Sequence, residues 1–104
     1  MQRIAFLMRI RPGTEEEYRR RHAQIWPRMV DELKAAGCHN YSIFRSGLQL
    51  FAYLEVNDLD SYRAYLASSE VAAEWESFMC DILVRDVDPA TNFPPLLSEE
   101  FHLD

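Results

Sequence analysis

The sequence predicts an α+β fold of the ferredoxin-like kind, an antiparallel sheet with helices on one face. The first observation is the element order, read as strand, helix, strand, strand, helix, helix, irregular segment and strand. The second is the length of 104 residues, which fits a single domain over 1–104. The third is that both faces of the predicted sheet are apolar, and a monomer rarely leaves such a face exposed. We therefore expect a homodimer in which two sheets pack face to face.

The first two elements are a strand over residues 3–10 and a long helix over residues 14–36. Apolar residues alternate along the strand, as they do when one face of a strand is buried. Thr14 and Glu17 have the spacing of a capping box, which predicts the start of the helix. Pro27 lies within the helical pattern and is expected to kink it, because proline removes one backbone hydrogen bond.

A β-hairpin is predicted after the helix. Gly37 is a suitable residue to end the helix, because glycine adopts the left-handed conformation without steric cost. Residues 38–46 and 49–56 are each rich in apolar and aromatic residues and predict two strands. The short turn at residues 46–48 contains a glycine, so the two strands are expected to pair.

Two short helices, an irregular segment and a final strand complete the predicted order. The first helix is predicted over residues 58–67, and Ser68 or Ser69 is expected to cap the second. Three prolines make residues 85–98 irregular. The closing residues 100–103, with the sequence E-F-H-L, are predicted to form the last strand.

The net charge of -6, from 17 acidic and 11 basic residues, disfavours nucleic acid as a partner. One basic run, Arg19, Arg20 and Arg21, follows three glutamates at helical spacing. Such charges can pair along a helix. We interpret the run as a solvated helix face.

The cysteines and the N-terminal residues predict a cytoplasmic location without a membrane partner. Cys38 and Cys80 have neither metal-binding nor redox spacing, so two reduced, buried thiols are expected. The apolar run at residues 4–8 is too short for a signal peptide or a membrane span. No cluster of histidine and acidic residues has the spacing of a metal site.

The side chains best suited to chemistry are Tyr18 and His22, which lie one helical turn apart. Histidine both gives and takes protons near neutral pH, and a phenol can orient a hydroxyl-bearing substrate. Trp75 can stack on the apolar face of a sugar. The alternative is that these aromatic residues only pack at the edge of the core, and helical periodicity alone favours that alternative.

The helix segment E-Y-R-R-R-H-A-Q-I-W-P, residues 17–27, is similar to the corresponding segment of L-rhamnose mutarotases. The matches G-C-H-N-Y-S-I-F, the tryptophan of the second short helix and the closing F-H-L-D follow in the same order. The resemblance implies a dimeric α/β barrel of ferredoxin-like subunits. It further implies that His22 is the catalytic acid, that Tyr18 and Tyr41 contact the sugar, and that Trp75 stacks on it.

Two departures from the family pattern concern the choice of sugar. Many members have a second tryptophan where this chain has Glu76, and the segment D-P-A-T-N-F-P-P also differs. We include Glu76 among the substrate-binding residues. The expected substrate is a 6-deoxy sugar, L-rhamnose first, and proton transfer alone requires no cofactor.

Three alternatives stay open at this point. The first is an L-fucose mutarotase, which Glu76 makes credible. The second is a small dimeric α/β-barrel monooxygenase without haem. The third is a non-catalytic ligand-binding or structural dimer.

Overall fold

The computed structural model describes residues 1–104, which form four strands and four helices. In chain order they are β1 (Gln2–Ile10), α1 (Glu15–Ala23), α2 (Pro27–Ala35), β2 (Cys38–Ser46), β3 (Gln49–Val56), α3 (Leu59–Ala67), α4 (Glu70–Met79) and β4 (Leu83–Val84). All strands join one antiparallel sheet in the order β2-β3-β1-β4. The predicted ferredoxin-like fold class is confirmed. None of the helices is long and apolar enough to cross a membrane.

The core lies between the helices and one face of the sheet. Strands β1 and β3 are central, and every second residue of each strand points towards the helices, as the pleat requires. The largest fully buried side chains are Leu50, Leu54, Val56 and Met79. These residues fix which face of the sheet carries the helices.

The long helix expected over residues 14–36 is wrong, because two helices replace it. Helix α1 ends at Ala23, and α2 begins at Pro27, its first residue. Trp26 is extended, with φ −60° and ψ 130°. The ring of a following proline disfavours helical backbone at the preceding residue, so the chain breaks here instead of kinking.

The capping box expected between Thr14 and Glu17 does not form, although a helix does begin there. The Thr14 hydroxyl donates to the carbonyl of Arg11 at 2.6 Å, and Thr14 makes no side-chain cap. Glu17 instead accepts from Arg20 and Arg21. Hydrogen bonds between two charged groups are stronger than a bond to a neutral backbone N–H at the helix start. The Glu17 carboxylate therefore binds the two arginines instead of closing the capping box.

The hairpin and the last two helices agree with the sequence predictions. Strands β2 and β3 pair antiparallel and have the predicted bounds. Gly37 has φ +88°, and a Cβ atom there would meet the side chain of Asn57 at 3.1 Å. Asp58 caps α3, and Ser69, the second of two candidates, caps α4 by accepting from Ala72 N–H.

The last strand predicted at residues 100–103 is wrong. Residues 85–104 contain no helix or strand, and the fourth strand is β4, which pairs with Arg9 and Ile10 of β1. The closing segment follows the same edge of β1 farther along, where Leu97 N–H donates to the Ala5 carbonyl at 2.8 Å.

The face of the sheet without helices carries a row of exposed apolar side chains. Leu7, Phe51 and Phe44 are cross-strand neighbours on β1, β3 and β2. They are 41%, 40% and 63% exposed, respectively. Ion pairs at the sheet edge, Arg3 with Glu99 and Arg9 with Asp86, border this row. An apolar centre with a charged border is typical of a protein interface.

Candidate functional site

A cavity of about 730 Å³ lies between the sheet and the helices. Its walls come from nearly every element, and most of the lining side chains are apolar. Tyr18, His22, Tyr41, Trp75 and Glu76 all line it. The structure therefore brings together all five residues that the sequence singled out. A concave, mostly apolar cavity with a few polar groups is the usual form of a small-molecule site.

Tyr18 and His22 form the polar centre of this cavity. They lie one turn apart on α1, and their rings stack with centroids 4.2 Å apart. Tyr18 is buried between the sheet and α4 in a cluster with Ile10, Leu50 and Met79. This packing fixes the phenol ring, and the stack in turn orients the imidazole.

The hydrogen bond of His22 determines which ring nitrogen can exchange a proton. Nδ1 lies 3.3 Å from the carbonyl oxygen of Tyr18. A carbonyl only accepts, so Nδ1 carries the proton of the neutral ring. Nε2 is left to take or give a proton. Burial lowers the pKa of His22, and the bond to the Tyr18 carbonyl opposes that shift.

Two phenols add neutral hydrogen-bonding groups. Tyr41 on β2 is half-buried and lines the cavity together with Tyr18. Burial raises the pKa of both phenols, so both stay protonated at neutral pH. Neither hydroxyl is a buried polar group that lacks a hydrogen-bond partner, whereas the Arg63 Nε atom is such a group. Each phenol can therefore donate to or accept from a bound hydroxyl group.

Trp75 forms an aromatic wall next to the imidazole. Its ring centroid lies 5.5 Å from that of His22, with the planes nearly perpendicular. Trp26 and Phe78 pack against it from behind, at centroid distances of 5.1 Å and 5.7 Å. Trp26 does not line the cavity, which agrees with a packing role. The supported indole presents a flat apolar surface to whatever the cavity holds.

The interpretation of the arginine run as a solvated face holds for Arg20 and fails for Arg21. The Arg21 side chain is only 11% exposed. Its guanidinium pairs with Glu17 and Asp81 and donates to the Phe78 carbonyl at 2.8 Å. It lowers the pKa of the Asp81 carboxyl. Arg21 thus links α1, which carries His22, to the end of α4, which carries Trp75.

Arg85 is a cavity residue that the sequence reasoning missed. It follows β4, lines the cavity, and pairs with Glu76 at 3.0 Å. The only sequence signal is one arginine within the otherwise acidic stretch from Asp81 to Asp88. That signal does not indicate which residue the arginine contacts, so only the folded chain places Arg85 beside Glu76.

The other two histidines lie apart from this centre. His39, at the start of β2, is exposed and faces the Asn57 side chain at 3.1 Å, at the margin of the cavity. His102 pairs with Asp104 at 2.8 Å and does not line the cavity. Both are exposed surface residues outside the Tyr18–His22 centre.

The family comparison covers almost the whole chain. A family model described as L-rhamnose mutarotase matches residues 3–103. Proteins named L-rhamnose mutarotase are among the similar sequences. That of Tolumonas auensis is 43% identical over 85% of this chain and 86% of the relative. Those of Oceanobacillus iheyensis and Bacillus subtilis are 38% and 40% identical, and each alignment covers 100% of both chains.

The structural comparison agrees with the sequence comparison. The crystal structure of an L-rhamnose mutarotase from Formosa agariphila matches this chain with a TM-score of 0.81. The two chains are 34% identical, and the match covers 100% of each. The similarity therefore extends to the sheet, the helices and the segment that follows β4.

Proposed function

Because this chain belongs to the L-rhamnose mutarotase family, we propose that it interconverts the α and β anomers of L-rhamnopyranose by acid–base catalysis. The observation that carries this proposal is the placement of His22. The imidazole stacks on Tyr18 and lies beside Trp75 in the cavity, with one nitrogen committed to a carbonyl. A single proton-exchanging atom next to an apolar wall suits a sugar ring.

The reaction needs only proton transfers. A base removes the proton of the anomeric hydroxyl while an acid protonates the ring oxygen. The bond between the anomeric carbon and the ring oxygen then breaks, leaving an open-chain aldehyde and a new hydroxyl. Rotation about the C1–C2 bond and reversal of both transfers close the ring on the other face. Because no electron or group is transferred, the reaction calls for no cofactor.

In this proposal His22 is the acid in its imidazolium form, in which Nε2 also carries a proton, and Nε2–H protonates the ring oxygen. Positioned proton transfer contributes about 100- to 10,000-fold to a rate. A rate acceleration in that range is enough for this reaction, because mutarotation already proceeds in water without an enzyme. The base is either water or a second side chain.

The remaining cavity residues are proposed to bind and orient the sugar. Tyr18 and Tyr41 exchange hydrogen bonds with ring hydroxyls. Trp75 covers the apolar face of the sugar ring and the methyl group attached to C5. Glu76 lies next to Trp75 on α4 and lines the same cavity, so it is placed to contact the ring edge. These roles follow from the geometry of the cavity and the resemblance to the family.

A second candidate substrate is L-fucose. Glu76 stands where many members of the family have an aromatic residue, and a carboxylate recognises hydroxyl groups differently from an indole ring. L-Rhamnose and L-fucose differ in the orientation of two ring hydroxyls. The comparisons favour the mutarotase family over the monooxygenase class.

We further propose that the single domain over residues 1–104 acts as a homodimer in the cytoplasm. The helix-free face, with Leu7, Phe44 and Phe51 exposed, supports the dimer. Both cysteines are free, which suits a reducing compartment. Cys38 is buried as expected, whereas the expectation of a buried Cys80 is wrong, because that side chain is exposed.

The direct test is anomer exchange measured by saturation-transfer NMR. We expect the purified protein to accelerate exchange of L-rhamnose above the buffer rate, with L-fucose and L-lyxose measured in parallel. Acceleration of L-fucose alone would leave the reaction type intact and refute the preferred substrate. If no sugar responds, the mutarotase proposal fails.

The pH dependence of exchange tests the role of His22 as an acid. Burial holds the pKa of His22 below its usual value of about 6.5. If the imidazolium is the active form, the His22-dependent part of kcat rises as the pH falls from about 8 through 6.5. It levels off only below the lowered pKa. A rate that instead declines over this range would identify neutral His22 as a base.

Folding stability is expected to change with pH in the opposite direction. The unfolded chain binds a proton at His22 near pH 6.5, whereas the folded chain resists protonation. The contribution of this group to stability is therefore present above about pH 6.5 and lost as the pH falls. Circular dichroism at each pH separates this loss from the change in kcat.

A further inference from the structure

The ion pair between Glu76 and Arg85 is part of the cavity wall. Glu76 Oε1 lies 3.0 Å from Arg85 Nη1, and both side chains line the cavity that holds His22. The pair joins α4 to the segment that follows the edge strand β4. It therefore places opposite charges beside each other on the wall that also contains Trp75.

Arg85 is held in place and still has donors to offer. Nη2 donates to the Asn92 carbonyl at 3.4 Å, and Nη1 faces Glu76. A guanidinium has five N–H donors in a fixed plane, so these two partners leave several donors free. The Arg85 side chain is 24% exposed, compared with 49% for Glu76. The fixed and less exposed member of the pair is the arginine.

Arg85 shares the cavity wall with a second residue of the proposed site, Tyr41. Its charge acts on the Tyr41 phenol, where it opposes the rise in pKa that burial causes. Arg85 therefore pairs with Glu76 on α4 and lines the same cavity as Tyr41 on β2. From the wall that also contains Trp75, its free donors can reach the hydroxyl edge of a ring whose apolar face stacks on Trp75.

Resting on the mutarotase function proposed above, we propose that Arg85, fixed by Glu76, donates hydrogen bonds to the sugar's ring hydroxyls. The carboxylate oxygen of Glu76 that does not face Arg85 accepts a hydrogen bond from an adjacent hydroxyl. The pair therefore recognises where the hydroxyl groups of the sugar lie. Polar recognition discriminates more strongly than an apolar pocket, because a mispaired buried group is costly. An apolar wall distinguishes a methyl group by only about 10- to 200-fold.

The test compares Arg85→Met with the wild-type protein in the NMR exchange assay, using L-rhamnose and L-lyxose. Arg85→Met keeps a long, unbranched side chain and removes every hydrogen-bond donor of the guanidinium. We expect KM to rise about 10- to 100-fold, the effect of a hydrogen bond to a charged group, while kcat changes little. L-Lyxose has the ring hydroxyls of L-rhamnose without the methyl group. The same rise for both sugars is expected; a rise for L-rhamnose alone would overturn hydroxyl recognition.

A charge swap separates recognition from simple structural support. The double variant Glu76→Arg with Arg85→Glu restores an ion pair but exchanges the donor and the acceptor. We expect its thermal stability to recover relative to Arg85→Met while KM stays high. Recovery of both properties would show that the pair only braces the wall. If Arg85→Met does not fold, Arg85→Lys retains the charge without the planar fork, and an unchanged KM there would refute the proposal.

A matched control comes from the same helix. Glu74 pairs with Arg28 at 3.3 Å, and neither residue lines the cavity. Glu74→Gln removes one exposed ion pair of α4 and is expected to leave KM unchanged.

A wild-type protein without exchange activity would refute the mutarotase function itself. An active wild type with an unchanged KM in Arg85→Met would refute only the role of Arg85.

Discussion

Replacing His22 with Gln is expected to reduce catalysed anomer exchange of L-rhamnose by about 100- to 10,000-fold. Glutamine retains a polar side chain of similar reach but cannot carry a titrating proton. The residual rate should approach the rate in buffer, because the phenols of Tyr18 and Tyr41 stay protonated and neutral. Saturation-transfer NMR at one pH and one sugar concentration measures the difference. Full activity in this variant would remove His22 from the mechanism.

Two controls keep this result tied to proton transfer. His102→Gln changes a histidine outside the cavity, where it pairs only with Asp104, and is expected to leave exchange unchanged. His22→Gln should also retain its fold, because the neighbouring Tyr18 is packed by the sheet and α4 independently of the imidazole. Circular dichroism and sugar titration by NMR check that the variant folds and still binds. Loss of exchange with binding retained is the signature of a missing proton-transfer group.

Local sequence rules predicted the hairpin and missed the break between the first two helices. Strands β2 and β3 were predicted at the observed residues, because apolar alternation and a glycine turn are short-range signals. The helix break at Pro27 was expected only as a kink, since the apolar periodicity continues across it. The fourth strand was misplaced because β4 has only two residues, too few to show a period. Its position depends on the open edge of β1, which is a long-range property.

The site was partly predictable for the same reason. Tyr18 and His22 share one helical turn, so sequence spacing alone predicted their contact. Trp75 and Tyr41 come from other elements. Trp75 was named from the residues as a ring that can stack on a sugar, whereas only the family resemblance nominated Tyr41. Arg85 was found by neither route, since its pairing with Glu76 requires the turn between α4 and β4. Spacing within a helix is therefore a reliable guide here, whereas contacts between elements need the fold.

The dimer proposal depends on the helix-free face of the sheet. Two such faces packed together lie about 10 Å apart, close enough for side chains from both to interdigitate. In a two-fold dimer each substitution appears twice, once from each subunit. A charge placed in the apolar row therefore meets its own copy or an apolar side chain, and the bordering cations, Arg3 and Arg9, are already paired with Glu99 and Asp86.

Replacing Leu7 with Asp is accordingly expected to weaken dimerisation by on the order of 100-fold or more, the effect of burying unpaired charges. Sedimentation should show a species of twice the 12.2 kDa chain mass for the wild-type protein and a monomer for the variant. Leu48→Asp is the matched control, because Leu48 is similarly exposed but lies in the turn between β2 and β3. If Leu7→Asp does not fold, Phe44→Asp on the edge strand introduces the same charge at a more exposed position. A wild-type monomer at micromolar concentration, or dimers that survive both substitutions, would contradict face-to-face packing of the two sheets.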